Sequence, residues 1–181
     1  MVHILQNDPA VPAGNIVEFL PVPPRICRLY RGEPLPEPGD VSSLIVLGGS
    51  MGANDDRSHP FLTALKLYIR HIVTAGIPFL GICLGGQLLA EATGGRAVSG
   101  RWEELGTLPV MLTPAGREDR LFRGIPEKFV SFHWHHDSFD LPADGVLLAT
   151  SEGCPHHAFR VGERAWGLQF HPEVTEGIVR D

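Results

Sequence analysis

Gly81-Ile82-Cys83-Leu84-Gly85-Gly86-Gln87 places one cysteine between small residues, where a short apolar run meets a run of helix formers. That spacing has the logic of a nucleophile elbow: a sharp strand-to-helix turn presents the side chain, and flanking glycines avoid clashes. A helix N-terminus just after the thiol favours thiolate and offers N–H groups to an oxyanion. Cysteine by itself is more often a small core residue. The glycines reverse that reading for Cys83, and Cys27 and Cys154, which lack them, keep it. A thiol nucleophile needs a base and later an acid, tasks that a histidine oriented by a carboxylate performs. Among nine histidines His171 is best placed, because Pro172 follows it and Glu173 lies two residues on. Gly48-Gly49, by itself a tight turn, becomes a second oxyanion donor if it follows a strand beside the elbow.

The elements that must position these residues follow from hydrophobic periodicity. Strand-like runs at 2–6, 25–30, 43–47 and 77–82 and a helix at 58–74, with Phe61, Leu62, Leu65, Tyr68, Ile69 and Ile72 at helical spacing, predict the alternation of a parallel α/β sheet. A second helix runs from Leu84 to Thr93 before the Gly94-Gly95 stop. Beyond Gly95 shorter strands at 105–113, 128–133, 146–151, 156–161 and 165–170 predict antiparallel additions to the sheet. The proline- and acid-rich 31–40 reads as a surface loop, so the expectation is one domain over 1–181. Sites in open parallel sheets gather at the carboxyl ends of strands. Three segments fall there: 47–52, the Cys83 elbow and 169–173.

Composition narrows the function classes. With 43% hydrophobic and 20% charged residues the 181-residue chain has the make-up of a folded domain with a sizeable core. A net charge of −6 without a basic run gives no footprint for nucleic acid, so a small-molecule substrate is expected. No apolar run is long enough to span a bilayer, and 1–6 has no basic leader, so no membrane association is expected. Three widely spaced cysteines make neither a disulfide framework nor a zinc pattern, which favours a reducing, cytoplasmic setting. His133 and His135 would share one face of a strand, but the spacing offers no convincing third ligand, and His156-His157 reads as a simple exposed pair. Neither metal nor cofactor is expected. Trp102, Trp134 and Trp166 read as core or pocket wall.

Four ordered segments carry a family resemblance: 48–52 with Asp55 and His59-Pro60, 81–87, His135-His136-Asp137 with Pro142, and 166–173. Over residues 43–173 the chain resembles the class I, triad-type glutamine amidotransferases, and within them a stand-alone branch similar to the amidotransferase domain of GMP synthase. The resemblance implies a three-layer, flavodoxin-like, mostly parallel open sheet with helices on both faces and added antiparallel strands in the C-terminal half. It implies that Cys83 attacks the glutamine side-chain amide to give a γ-glutamyl thioester and ammonia, with His171 as base and acid and Glu173 orienting it. It further implies an oxyanion hole from the N–H groups of Gly49 and Leu84, and substrate contacts from Gln87, Trp134, His135 and Asp137. His136 stands where many relatives have glycine, and the chain stops at Asp181 where relatives commonly continue, so the tail is either trimmed or short.

The sequence holds no ATP-pyrophosphatase signature or other acceptor-activating module. The leading expectation is therefore a glutaminase that passes ammonia to a separate synthase. A γ-glutamyl peptide hydrolase with the same triad, or an idle regulatory subunit keeping the fold, are the alternatives.

Overall fold

The computed structural model describes residues 1–180. Its strands are β1 (Val2–Gln6), β2 (Arg25–Arg28), β3 (Ser43–Val46), β4 (Phe79–Ile82), β5 (Arg96–Val98), β6 (Glu104–Leu112), β7 (Lys128–His135), β8 (Ser138–Asp140), β9 (Val146–Thr150), β10 (Ala158–Val161) and β11 (Ala165–Leu168). The helices are α1 (Phe61–Thr74), α2 (Leu84–Ala92), α3 (Pro114–Glu118) and α4 (Glu176–Arg180). Nine strands form one sheet in the order β2-β1-β3-β4-β11-β10-β9-β6-β7 among the described residues. The five strands from β2 to β11 run parallel, and β10, β9, β6 and β7 continue the sheet by antiparallel pairing. The expected parallel half and its C-terminal antiparallel addition are both present. β5 and β8, which the sequence pattern does not reveal, pair as a separate ribbon beside α2.

Layering follows from the alternation of side chains. Leu62, Leu65, Ile69 and Ile72 recur on one face of α1 and are fully buried against Leu88 and Leu89 of α2 and Leu5, Leu44 and Val46 of the sheet. On the opposite face, Ile4, Ile45, Leu47 and Ile82 are covered by Ile16, Val17 and Leu20 from the 3-10 helix Gly14–Phe19 and the residue after it. Under the antiparallel half, Val110, Leu112, Leu148, Trp166 and Phe170 make a further cluster.

Element ends shift for local reasons. α1 begins at Phe61 and not at 58, because the N–H groups of Ser58 and His59 both donate to the Asp55 carbonyl, closing a turn that Pro60 ends. The second strand stops at Arg28, where Leu29–Arg31 turns into a 3-10 helix. β7 extends past His133 to His135, because its register with β6 pairs Glu104 opposite His135.

Candidate active site

The segments after β1, β3, β4 and β11 come together at the carboxyl ends of the parallel strands. They border a cavity of about 600 Å³ lined by Asp8, Gly49, Cys83, Trp134, His171 and others. This brings together all three segments that the sequence marks, together with the end of β7. The lining is largely apolar, with Val11, Met51, Phe132, Trp134, Val174 and Ile178 around the polar groups.

Cys83 sits between β4 and α2 with φ 51° and ψ −109°, a backbone strained for a side chain other than glycine. Its N–H donates to the Leu168 carbonyl at 2.7 Å, and its own carbonyl accepts from Gly86 and Gln87 in the first turn of α2. The turn is possible because its neighbours lack side chains: a Cβ on Gly81 would stand 2.2 Å from the Gly85 carbonyl oxygen. The thiol is only 7% exposed yet borders the cavity, with Gln169 Nε2 donating to Sγ at 3.6 Å and the Trp134 carbonyl 3.9 Å away.

His171 follows β11, and its N–H donates to the Phe132 carbonyl of β7 at 2.8 Å, which fixes the ring from behind. Its Nδ1 lies 2.8 Å from Oε1 of Glu173, which is 1% exposed and whose carbonyl accepts from Asn15 N–H. Burial works against charge on His171, but the adjacent Cys83 sulfur, by charge and hydrogen bond, and then Glu173 hold its pKa up to about 10. The adjacent sulfur and the Glu173 carboxylate thus favour the imidazolium form of His171. Gly48 leaves room for this pairing, since a Cβ there would press on the ring at 3.2 Å. A thiol, an imidazole and a carboxylate in series can open an acyl bond and protonate its leaving group.

The other sequence-marked residues divide by exposure. Gly49 and Leu84 both border the cavity beside Cys83, and Ser50 ties the Gly49 loop down by donating from N–H and Oγ to Asp8 Oδ2 at 3.0 and 2.5 Å. Gln87 is 3% exposed, and its amide donates to the Asp137 carbonyl at 3.2 Å and to Gln169 Oε1 at 3.3 Å. Trp134 is 61% exposed at the mouth, an edge of the cavity and not core. Asp137 accepts the Gly100 N–H, while exposed His136 pairs with Glu103 at 3.0 Å. Asp8 and Gln169 carry no role in the sequence reading. Asp8 could have been found by the rule that marked the others, since it follows the carboxyl end of β1.

His133 and His135 do share a face of β7, turned into the protein and away from solvent. The exposed-pair reading of His156-His157 is corrected: His157 is fully buried, because its N–H donates to the Ala149 carbonyl and its carbonyl accepts from Gln169, locking it beneath the sheet. The fold thus supplies the third histidine that spacing does not. Glu104 Oε2 faces His133 Nδ1 at 3.4 Å, His135 Nε2 at 3.2 Å and His157 Nε2 at 2.5 Å. Burial would raise the Glu104 pKa, but the bonds from His157 and Ser151 and the nearby ring charges bring it down to about 2. Burial, reinforced by His157, pushes His135 down to about 4.

Comparison with known proteins identifies the family. Residues 33–179 match the family model described as glutamine amidotransferase class-I. The chain is 35% identical over 161 residues to YfeJ of Salmonella typhimurium, a glutamine amidotransferase-like protein, with 84% of this chain and 67% of that one aligned. It is 39% identical to a glutamine-hydrolyzing GMP synthase subunit of Pyrococcus abyssi, over 55% of this chain and about half (52%) of that protein. A crystal structure of a glutamine amidotransferase from Thermotoga maritima superimposes with a TM-score of 0.91 at 32% identity, covering 99% of this chain and 78% of that one. One from Methylobacillus flagellatus gives 0.90 at 34% identity, covering 99% and 72%. With the strained cysteine, the buried histidine–carboxylate pair and the mixed sheet in place, this chain belongs to the class I glutamine amidotransferases, on their GMP synthase-like side.

Proposed function

We propose that the chain is one amidotransferase domain that hydrolyses the side-chain amide of glutamine through a γ-glutamyl thioester on Cys83. The observation that carries this reading is the placement of Cys83, at positive φ, against the charged His171–Glu173 pair on the wall of the cavity. The Cys83 thiolate adds to the amide carbon, and the N–H groups of Gly49 and Leu84 receive the developing oxyanion. The His171 proton passes to the leaving nitrogen, the C–N bond breaks and ammonia departs. His171, now neutral, takes a proton from water, whose oxygen attacks the thioester, and collapse expels the Cys83 thiolate beside the re-formed imidazolium and releases glutamate. Glu173 holds the ring and balances its charge throughout. Gln87, Trp134, His135 and Asp137 shape the wall against which the substrate lies.

The ammonia is proposed to pass to a separate synthase, a reading supported by relatives whose names mark them as single subunits of a GMP synthase. A cytoplasmic setting accords with three unpaired cysteines, and no described helix is long and apolar enough to cross a membrane. A second reading, hydrolysis of γ-glutamyl conjugates by the same thioester, is favoured by the largely apolar lining of the cavity, which offers a surface to an amine substituent.

Glutamate release from glutamine and from γ-glutamyl dipeptides, measured side by side with intact-mass detection of a Cys83 adduct, tests both. Glutamine turnover that falls about ten-thousand-fold in Cys83→Ala supports the first reading. Faster turnover of the dipeptides would replace it with the second. A folded protein that acylates with neither, with or without cell extract, would leave an idle regulatory subunit.

A further inference from the structure

Glu104, His133 and His157 lie outside the proposed chemistry, and His135 enters it only as cavity wall, yet the ligating atoms of all four fall within 4.8 Å of one another and each residue is at least nine-tenths buried. We propose that these four side chains bind one divalent cation of the zinc type, as a closed structural site that clamps the β6–β7 hairpin to the start of β10.

Three observations carry it. First, the hydrogen-bond arithmetic is over-subscribed: three imidazole nitrogens converge on Glu104 Oε2, an oxygen with two lone pairs. One cation among the four atoms would engage all of them. Second, His135 Nδ1 lies 3.0 Å from the Asp137 carbonyl oxygen, which can only accept, so the ring proton sits on Nδ1. In that tautomer Nε2 turns a lone pair toward a carboxylate oxygen 3.2 Å away, an arrangement that one cation between the two would satisfy. A backbone carbonyl behind a ligating imidazole, and the Ser151 hydroxyl donating to Glu104 Oε1 at 2.6 Å, are the outer-shell supports that orient metal ligands. Third, two edges fit: tetrahedral bonds of about 2.0–2.1 Å separate ligands by about 3.3 Å, against 3.4 and 3.2 Å for His133 and His135 to Glu104. His157, at 2.5 Å, must draw back.

The donors, neutral nitrogen with one carboxylate, suit zinc, and full burial leaves no open coordination position for catalysis. The place in the fold explains what such a site does. β6 pairs with β9 only at Met111 and Leu112, so the Glu104 end of the hairpin has no ladder to β9, and the cluster joins it to His157. Trp134, between two of the ligands, presents the carbonyl 3.9 Å from Cys83 Sγ, so the clamp sets one wall of the candidate active site. This inference does not depend on the amide chemistry.

The test uses tag-free protein carrying Cys83→Ala, which removes the reactive thiol as a competing zinc ligand. The protein is grown with added zinc and, in parallel, refolded with zinc or with cobalt(II). Elemental analysis is expected to find about one zinc per chain. The cobalt form should show tetrahedral d–d absorption without thiolate-to-metal charge transfer. Adding His157→Gln, which can still donate to Glu104, should abolish both while circular dichroism stays native. Metal-free protein that folds natively under all these conditions, undiminished metal in the His157→Gln protein, or thiolate charge-transfer bands from Cys27 or Cys154 would each overturn the site.

Discussion

Two histidine–carboxylate clusters stand on either side of β7, and their chemistry is set by what surrounds them and not by what they contain. In one, His171 and Glu173 meet at 2.8 Å beside a sulfur and an accessible cavity, and the histidine is held charged up to about 10. In the other, Glu104 meets three rings inside the sheet, His135 is pushed down to about 4 and the carboxylate down to about 2. The neighbouring sulfur and carboxylate stabilise the imidazolium where burial alone would oppose it. Where histidines crowd one carboxylate, each ring charge disfavours the next. Access completes the contrast: the first cluster opens onto the cavity, whereas the second lies inside the fold with only His135 bordering it.

The sharpest way to break this comparison is to neutralise each carboxylate in turn. Glu173→Gln keeps the shape of the side chain but removes the charge behind His171, and is expected to slow glutamate release about a hundredfold or more with little change in urea midpoint. Glu104→Gln should do the reverse, lowering stability by about 3 kcal/mol, because it puts an uncharged amide where three buried rings and the Ser151 hydroxyl converge on a carboxylate. Its loss of rate at temperatures where it stays folded should be far smaller than that of Glu173→Gln. If Glu104→Gln slowed turnover as much as Glu173→Gln while leaving the unfolding midpoint in place, the two clusters would not divide as described.

A smaller effect comes from pH. Because the folded-state pKa of His171 is raised, the native protein binds the extra proton, and stability falls with rising pH across that interval. The contribution is complete below the ordinary histidine value of about 6.5 and is lost as pH climbs through about 10. Urea unfolding of the parent and of His171→Asn, compared at both ends of this window, should show a stability gap that narrows toward the alkaline end. A gap independent of pH would remove the raised His171 pKa from the account.

Much of the fold was legible because it rests on short-range pattern. The spacing of Leu62, Leu65, Ile69 and Ile72 marks the buried face of α1, and the change of pattern after Gly95 marks the antiparallel half. The β5–β8 ribbon escaped notice: its strands are three residues each, too short for periodicity to show. The candidate site was legible where chemistry and backbone demands coincide, as at Gly81, Cys83 and Gly85. The roles of Asp8 and Gln169 were not legible even though both sit just past strand ends, because each depends on which loop or sulfur it touches across the fold.

The sequence by itself determined the elbow, the order of the elements and the His171–Glu173 pair, because these depend on neighbours a few residues apart. Tertiary structure alone decided that His133, His135 and His157 join Glu104. Glu104 and His157 are separated by 53 residues, and only the turn of the sheet from β6 through β9 into β10 brings them within 2.5 Å. Contacts of that range depend on register and strand order, which no local pattern of residue types encodes.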